Sequence, residues 1–87
     1  MEMREYVIDC RRLTSREAAH EYLKELFGFP EYYGGNLDAL HDCLGELPAC
    51  RISLEYPWAL RSLGRYALLL LEVFSASAEE HRGIELI

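Results

Sequence analysis

From Tyr6 to Cys10 the chain reads Tyr-Val-Ile-Asp-Cys, apolar and β-branched at its centre, which predicts a strand. The period then changes. Ala19, Tyr22, Leu23, Leu26 and Phe27 recur at helical spacing. Thr14 and Glu17 match a capping box, with Leu13 and Ala18 at the staple positions, and Gly28 is placed to end the helix. A second helix is predicted from Asn36, a strong N-cap, to Pro48, which stops it. Leu37, Leu40, Leu44 and Leu47 gather on one side of it, with Cys43 at the flank. Asp38, Asp42 and Glu46 gather on the other, with His41 and Gly45 near them. Ile52 to Tyr56 alternates as a second strand, expected to be less buried than the first on one face. Pro57 opens a short helix, Trp58 to Leu63, that Gly64 ends. Trp58 is expected in or near the core, by its size and its neighbours. Arg65 to about His81 reads as the longest helix. Its inner stripe is Tyr66, Leu69, Leu70, Val73 and Phe74, broadened by Leu68 and Leu71, and Arg82 and Gly83 suit its C-terminus. Ile84 to Ile87 forms a third short strand.

Strands separated by helices imply parallel pairing through right-handed crossovers. The expected fold is α/β, with a single three-stranded parallel sheet and crossover helices in the order β-α-α-β-α-α-β. The order of the strands within the sheet is not legible in the pattern. A chain of 87 residues allows a single domain, 1–87, with a modest core.

Charge narrows the partners. The net charge is −6. That argues against nucleic acid or an anionic membrane as a direct partner, because their phosphates would repel it, and it suits a basic protein. No segment approaches the roughly 18 apolar residues of a membrane span. The opening residues Met1-Glu2-Met3-Arg4-Glu5 carry no apolar run of signal-peptide type, so a cytoplasmic protein is expected. Cys10, Cys43 and Cys50 show neither a CxxC pair nor zinc spacing, and reduced thiols are expected. Cys10 and Cys50 would lie at opposite ends of parallel strands, too far apart for a disulfide.

Candidate chemistry concentrates between Pro30 and Leu47. Asp38 complements the dipole at a helix start, but Asp42 and Glu46 lie too far along for that, and like charges at i, i+4 are mildly destabilising. Such a run is commonly a solvated helix face. Here two adjacent tyrosines and a Gly-Gly loop lead directly into it, as aromatics beside charges do on recognition surfaces. A catalytic reading fares worse. His41, Asp42 and Cys43 are consecutive and cannot face one another on a helix. An Asp38–Asp42 carboxylate pair would sit on an exposed face without a pocket. His41 with Asp38 or Asp42 offers too few converging groups for a metal. His20 and His81 read as isolated surface residues. No catalytic residue, metal or cofactor is therefore expected.

The segment Pro-Glu-Tyr-Tyr-Gly-x-Asn-Leu-Asp-Ala-Leu-x-Asp-Cys-Leu, Pro30 to Leu44, resembles the signature of the barstar family of intracellular ribonuclease inhibitors. A weaker similarity continues through Ile52–Tyr56 and Val73-Phe74 to the C-terminal apolar strand. The resemblance implies the same fold and an inhibitor that sets an acidic helix and its preceding loop against a nuclease's phosphate-binding site. It carries Tyr32, Tyr33, Gly34, Asn36, Asp38 and Asp42 over as target-binding positions, with Asp42 reaching deepest. His41, Glu46 and Glu80 join them as candidates, Glu80 as an acidic position near the end of the last helix, with Glu79 beside it. A well-known member of that family has tryptophan at His41, glycine-tryptophan at Glu46-Leu47 and a binding glutamate at Ala76, departures that bear on which nuclease is recognised. The implied partner is a basic bacterial ribonuclease of extracellular type, bound by a monomer as a one-to-one heterodimer. Two other readings stand beside this one: a barstar-like module for a different basic protein, and a small metal-binding or hydrolytic protein. Protonation of His41 would reduce the negative charge of the acidic face, so binding to a basic target should weaken as pH falls through the histidine range.

Overall fold

The computed structural model describes residues 3–81 and 83–86. β1 runs Arg4–Asp9, α1 Arg16–Phe27, α2 Leu37–Gly45, β2 Cys50–Glu55, α3 Arg65–Glu80 and β3 Ile84–Leu86. A 3₁₀ turn, Cys10–Arg12, precedes α1, and a longer 3₁₀ helix, Pro57–Leu63, precedes α3. The strands form one parallel sheet in the order β1-β2-β3, with Tyr6 opposite Ile52 and Ile52 opposite Leu86. With this order, right-handed crossovers put every helix on the same side of the sheet. That side carries Ile8, Cys50, Ile52 and Ile84, all buried, which meet Leu13, Leu23, Leu40, Leu44, Leu70 and Phe74. The other side stays in water. There Arg51 bridges Glu5 at 3.3 Å and Glu85 at 3.8 Å, one residue from each strand.

Local chemistry explains the boundaries. β1 begins two residues earlier than the pattern suggests and stops at Asp9, whose carboxylate accepts the Arg11 amide at 3.0 Å and turns the chain. Cys10 therefore belongs to the turn, not the strand. α1 is capped by Ser15 rather than Thr14: Ser15 is extended, and its Oγ accepts the Ala18 amide at 3.1 Å. Leu13 is tied down in the core and its amide bonds to the Cys10 carbonyl, which moves the first helical residue to Arg16. Gly28 ends α1 with a φ of 69°. α2 stops at Gly45, short of Pro48, so Glu46 is its C-cap residue.

Three burial expectations fail for physical reasons. β2 is the more buried of the two long strands, because it lies between β1 and β3. Trp58 is 63% exposed. The segment after Pro57 is a 3₁₀ helix that buries Ala59 and Leu63 and leaves Trp58 outside with Arg61, its ring edge-on to Tyr56. α3 buries only Ala67, Leu70, Phe74 and Ser77, which leaves Leu68 and Leu69 in contact with water. The helix ends at Glu80, with His81 as its cap. The parts of the C-terminal expectations that rest on Arg82 and Ile87 lie outside the described residues.

Candidate protein-binding face

The loop into α2 is built around two backbone requirements. Pro30 starts a turn in which its carbonyl accepts the Tyr33 amide at 2.9 Å. Gly35 has a φ of 65°, in the left-handed region that favours glycine. Asn36 then returns to extended backbone, and its Oδ1 accepts the Ala39 amide at 2.8 Å. The first turn of α2 is thereby fixed by a side chain within the loop.

α2 is held from below. Leu40 and Leu44 are fully buried against the sheet side of the core, with Leu37, Cys43 and Leu47 half-buried beside them. Asp38, Asp42 and Glu46 are exposed. The helix surface thus divides as its sequence predicts, into an apolar anchor and an acidic front.

α3 adds to that front. His41 Nε2 lies 2.6 Å from Glu80 Oε2, joining the two helices across their outer edges. Both side chains are substantially exposed, at 42% and 64%. A groove of about 250 Å³ between the helices is lined by Leu37, Asp38, His41, Leu69, Glu72, Val73 and Ala76. Further down, a cleft of about 320 Å³ is lined by His41, Gly45, Ser77, Glu80 and His81. A cleft of about 750 Å³ lies elsewhere, among Arg11, Arg12, Lys24, Glu21 and Glu25. It mixes both signs of charge and touches none of the acidic-face residues.

The tyrosine pair divides its labour. Tyr32 is 82% exposed at the mouth of the loop. Tyr33 turns inward: its ring packs on Phe29 with centroids 4.9 Å apart, and its hydroxyl lies 2.6 Å from His20 Nδ1. Burial pushes its phenol well above the usual tyrosine range. Gly34 sits where a Cβ would come within 3.2 Å of Asn36 Nδ2, so its lack of a side chain protects the cap. Of the nine candidate positions, the structure gathers Tyr32, Asn36, Asp38, His41, Asp42, Glu46 and Glu80 along the loop and the outer edges of α2 and α3. Gly34 and Tyr33 shape that surface from within.

The two other histidines are not surface residues without contacts. His20 is 4% exposed and bonded to both Tyr33 and Tyr66. His81 is half-buried, with Nε2 2.7 Å from the Leu47 carbonyl and Nδ1 accepting the Gly83 amide at 3.1 Å. A signal for His20 exists in the sequence, since His20, Leu23 and Phe27 follow i, i+3, i+7 spacing on the buried side. Of the groove residues, Leu69 was legible only as part of the α3 stripe, and Glu72 was not singled out by the sequence pattern.

Among the described residues no three His, Cys, Asp or Glu side chains converge as a metal site. Nor is any helix long and apolar enough to cross a membrane. The arrangement offers carboxylates on a rigid support beside an exposed aromatic: Asp38, Asp42, Glu46, Glu72 and Glu80 are all exposed, and His41 contacts Glu80.

Comparison with known proteins agrees with the geometry. The family described as Barstar (barnase inhibitor) matches residues 3–87. A protein of Bacillus subtilis (strain 168) named "Putative ribonuclease inhibitor YrdF" is 41% identical over 81 residues, covering 90% of this chain and 89% of that protein.

Proposed function

Since the chain belongs to the barstar family, we propose that it is an inhibitor of a basic, barnase-like ribonuclease and not itself an enzyme. A ribonuclease site must neutralise phosphate, so it presents cationic side chains on a concave surface. Asp38 and Asp42 enter that surface where phosphates would lie, and Asp42 reaches deepest. Tyr32 and the Gly34-Gly35 turn cover the rim beside them, while Glu46, Glu80 and His41 meet its far edge. Blocking is by occupation, with no covalent step.

The observation that carries this reading is the division of α2: carboxylates exposed along one side, and Leu40 and Leu44 fully buried on the other. A charge pre-ordered by a packed helix loses little entropy on binding, and opposite charge speeds encounter. The protein would act in the cytoplasm, as a monomer that forms a one-to-one complex with the nuclease.

Titration of purified barnase with this protein tests the proposal. Ribonuclease activity should fall linearly to near zero at one equivalent. Full activity at a severalfold excess contradicts a barnase-like target, and capture of a basic protein without nuclease activity would favour an interaction module instead.

A further inference from the structure

Beneath the recognition loop lies an imidazole that the acidic front does not use. His20 Nδ1 is 2.6 Å from the Tyr33 hydroxyl, and its Nε2 is 2.7 Å from the Tyr66 hydroxyl. Three segments meet at this ring: α1 supplies His20, the loop supplies Tyr33, and the first turn of α3 supplies Tyr66. Gly35 backs onto the same residue, where a Cβ would lie 3.8 Å from that of His20. The Arg16 guanidinium stacks over the Tyr66 ring at 4.5 Å.

Counting protons sets what the junction requires. A neutral imidazole has one N–H donor and one bare acceptor nitrogen. One tyrosine must therefore donate to the ring and the other accept from it. An imidazolium has two donors and no acceptor, so the donating tyrosine would have to turn its proton elsewhere. Neither hydroxyl has a second protein partner among the described residues.

The surroundings disfavour the cation as well. Burial holds the His20 pKa below the usual histidine value, Arg16 lowers it further, and Glu17 opposes them. From the loop the Tyr33 phenol, raised by burial, faces the ring, and from α3 the Tyr66 hydroxyl faces it. Cys43 of α2, beside Tyr33, is a thiol raised by burial and therefore neutral. Asp38 and Glu17 line the outer cleft with Arg16, Gly35, Asn36 and Tyr66. Among the described residues no carboxylate is hydrogen-bonded to the imidazole.

We propose that neutral His20 is a positioning residue for the recognition loop: it clamps Tyr33 to Tyr66, fixes Gly34 to Asn36 and the start of α2, and opens on protonation. The bearing of this clamp on inhibition rests on the ribonuclease reading of the face. The clamp itself belongs to the free protein and is measurable there.

Hydrogen exchange of the free protein from pH 8 to 5, corrected for intrinsic rates, tests it on the amides of Tyr32 to Asp38, with Leu23 and Leu70 as controls. Loop protection should fall by about tenfold or more below pH ~6.5 while the controls hold. His20→Gln keeps one donor and one acceptor and cannot titrate, so it should retain protection at pH 8 and lose the step. His20→Leu should leave the loop unprotected at every pH. Tyr66→Phe, which removes a single hydroxyl, should weaken loop protection even if His20→Leu fails to fold. Parallel loss at loop and controls, or a pH step that survives in His20→Gln, overturns the clamp. With barnase, the parent should dissociate faster at low pH than His20→Gln, a comparison in which titration of the nuclease cancels. Equal dissociation of the two overturns the link to inhibition. If the parent does not inhibit barnase at all, the ribonuclease reading fails, and the exchange data still decide the clamp.

Discussion

His41 and Glu80, 2.6 Å apart, are the point where α2 and α3 join side chain to side chain. Exposed pairs of this kind contribute about 0–1 kcal/mol, so the contact matters more for binding than for folding. Rim side chains act chiefly on association, so His41→Gln should leave unfolding of the free protein level and change the association rate with barnase more than the dissociation rate, measured by stopped flow at low salt. A change confined to dissociation would place His41 in the buried part of the contact. The cysteines give a second residue-level expectation. Cys10 and Cys50 are fully buried, and burial pushes all three thiols up. Titration of the native protein with a thiol reagent should be slow, with half-buried Cys43 reacting first, and denaturation without reductant should release all three. Fewer than three would mean a disulfide. Individual residues were the least legible level of the sequence. His20 had the right spacing for burial, but its partners lie 13 and 46 residues away, beyond any local pattern. The expectation for Trp58 failed because size does not tell which side of a short helix a residue takes, and here the small Ala59 takes the inner side.

Elements were legible in kind and less so in their limits. Alternation and helical spacing identified three strands, three α-helices and the short helix after Pro57, since each signal arises from the element's own period. Boundaries depend on single hydrogen bonds. Thr14 and Ser15 are both good caps, and only the anchoring of Leu13 decides between them. Ser15→Ala should cost about 1 kcal/mol in chemical denaturation, and Thr14→Ala far less. Equal losses would mean that the cap is shared. α2 yields a larger contrast. Leu44 is fully buried under the acidic front, so Leu44→Ala should cost about 2–5 kcal/mol by opening a cavity. The lowered stability should appear as a lower unfolding midpoint, while the fraction still folded inhibits normally.

At the scale of the whole molecule, the order of the strands was the part that the sequence withheld. Period and turn chemistry report neighbours along the chain, whereas β1-β2-β3 is a statement about which edges meet. That order leaves one side of the sheet in water and gathers all helices on the other, where α2 and α3 can form one acidic front. The net charge of −6 adds a long-range attraction for a basic partner to the contacts that this front would make. The association rate with barnase should drop steeply between low and high salt, with a smaller change in dissociation. Rates independent of salt would remove steering from the account and leave contact binding in place.

The claim beneath all of these is that the acidic front of α2 is the inhibitory surface, and Asp42→Ala addresses it most directly. Asp42 is exposed, opposite Leu40 and Leu44, and too far along the helix for a capping role. Its removal relieves like-charge contacts with Asp38 and Glu46, so stability should hold or rise by a few tenths of a kcal/mol. In the complex, truncation would leave buried nuclease cations unpaired, at a cost of about 2–5 kcal/mol or more. The inhibition constant for barnase, measured beside thermal unfolding, should therefore weaken from about 30-fold to several thousandfold while the unfolding midpoint stays level. An Asp42→Ala protein that inhibits as well as the parent, or that loses inhibition only because it unfolds, contradicts the account.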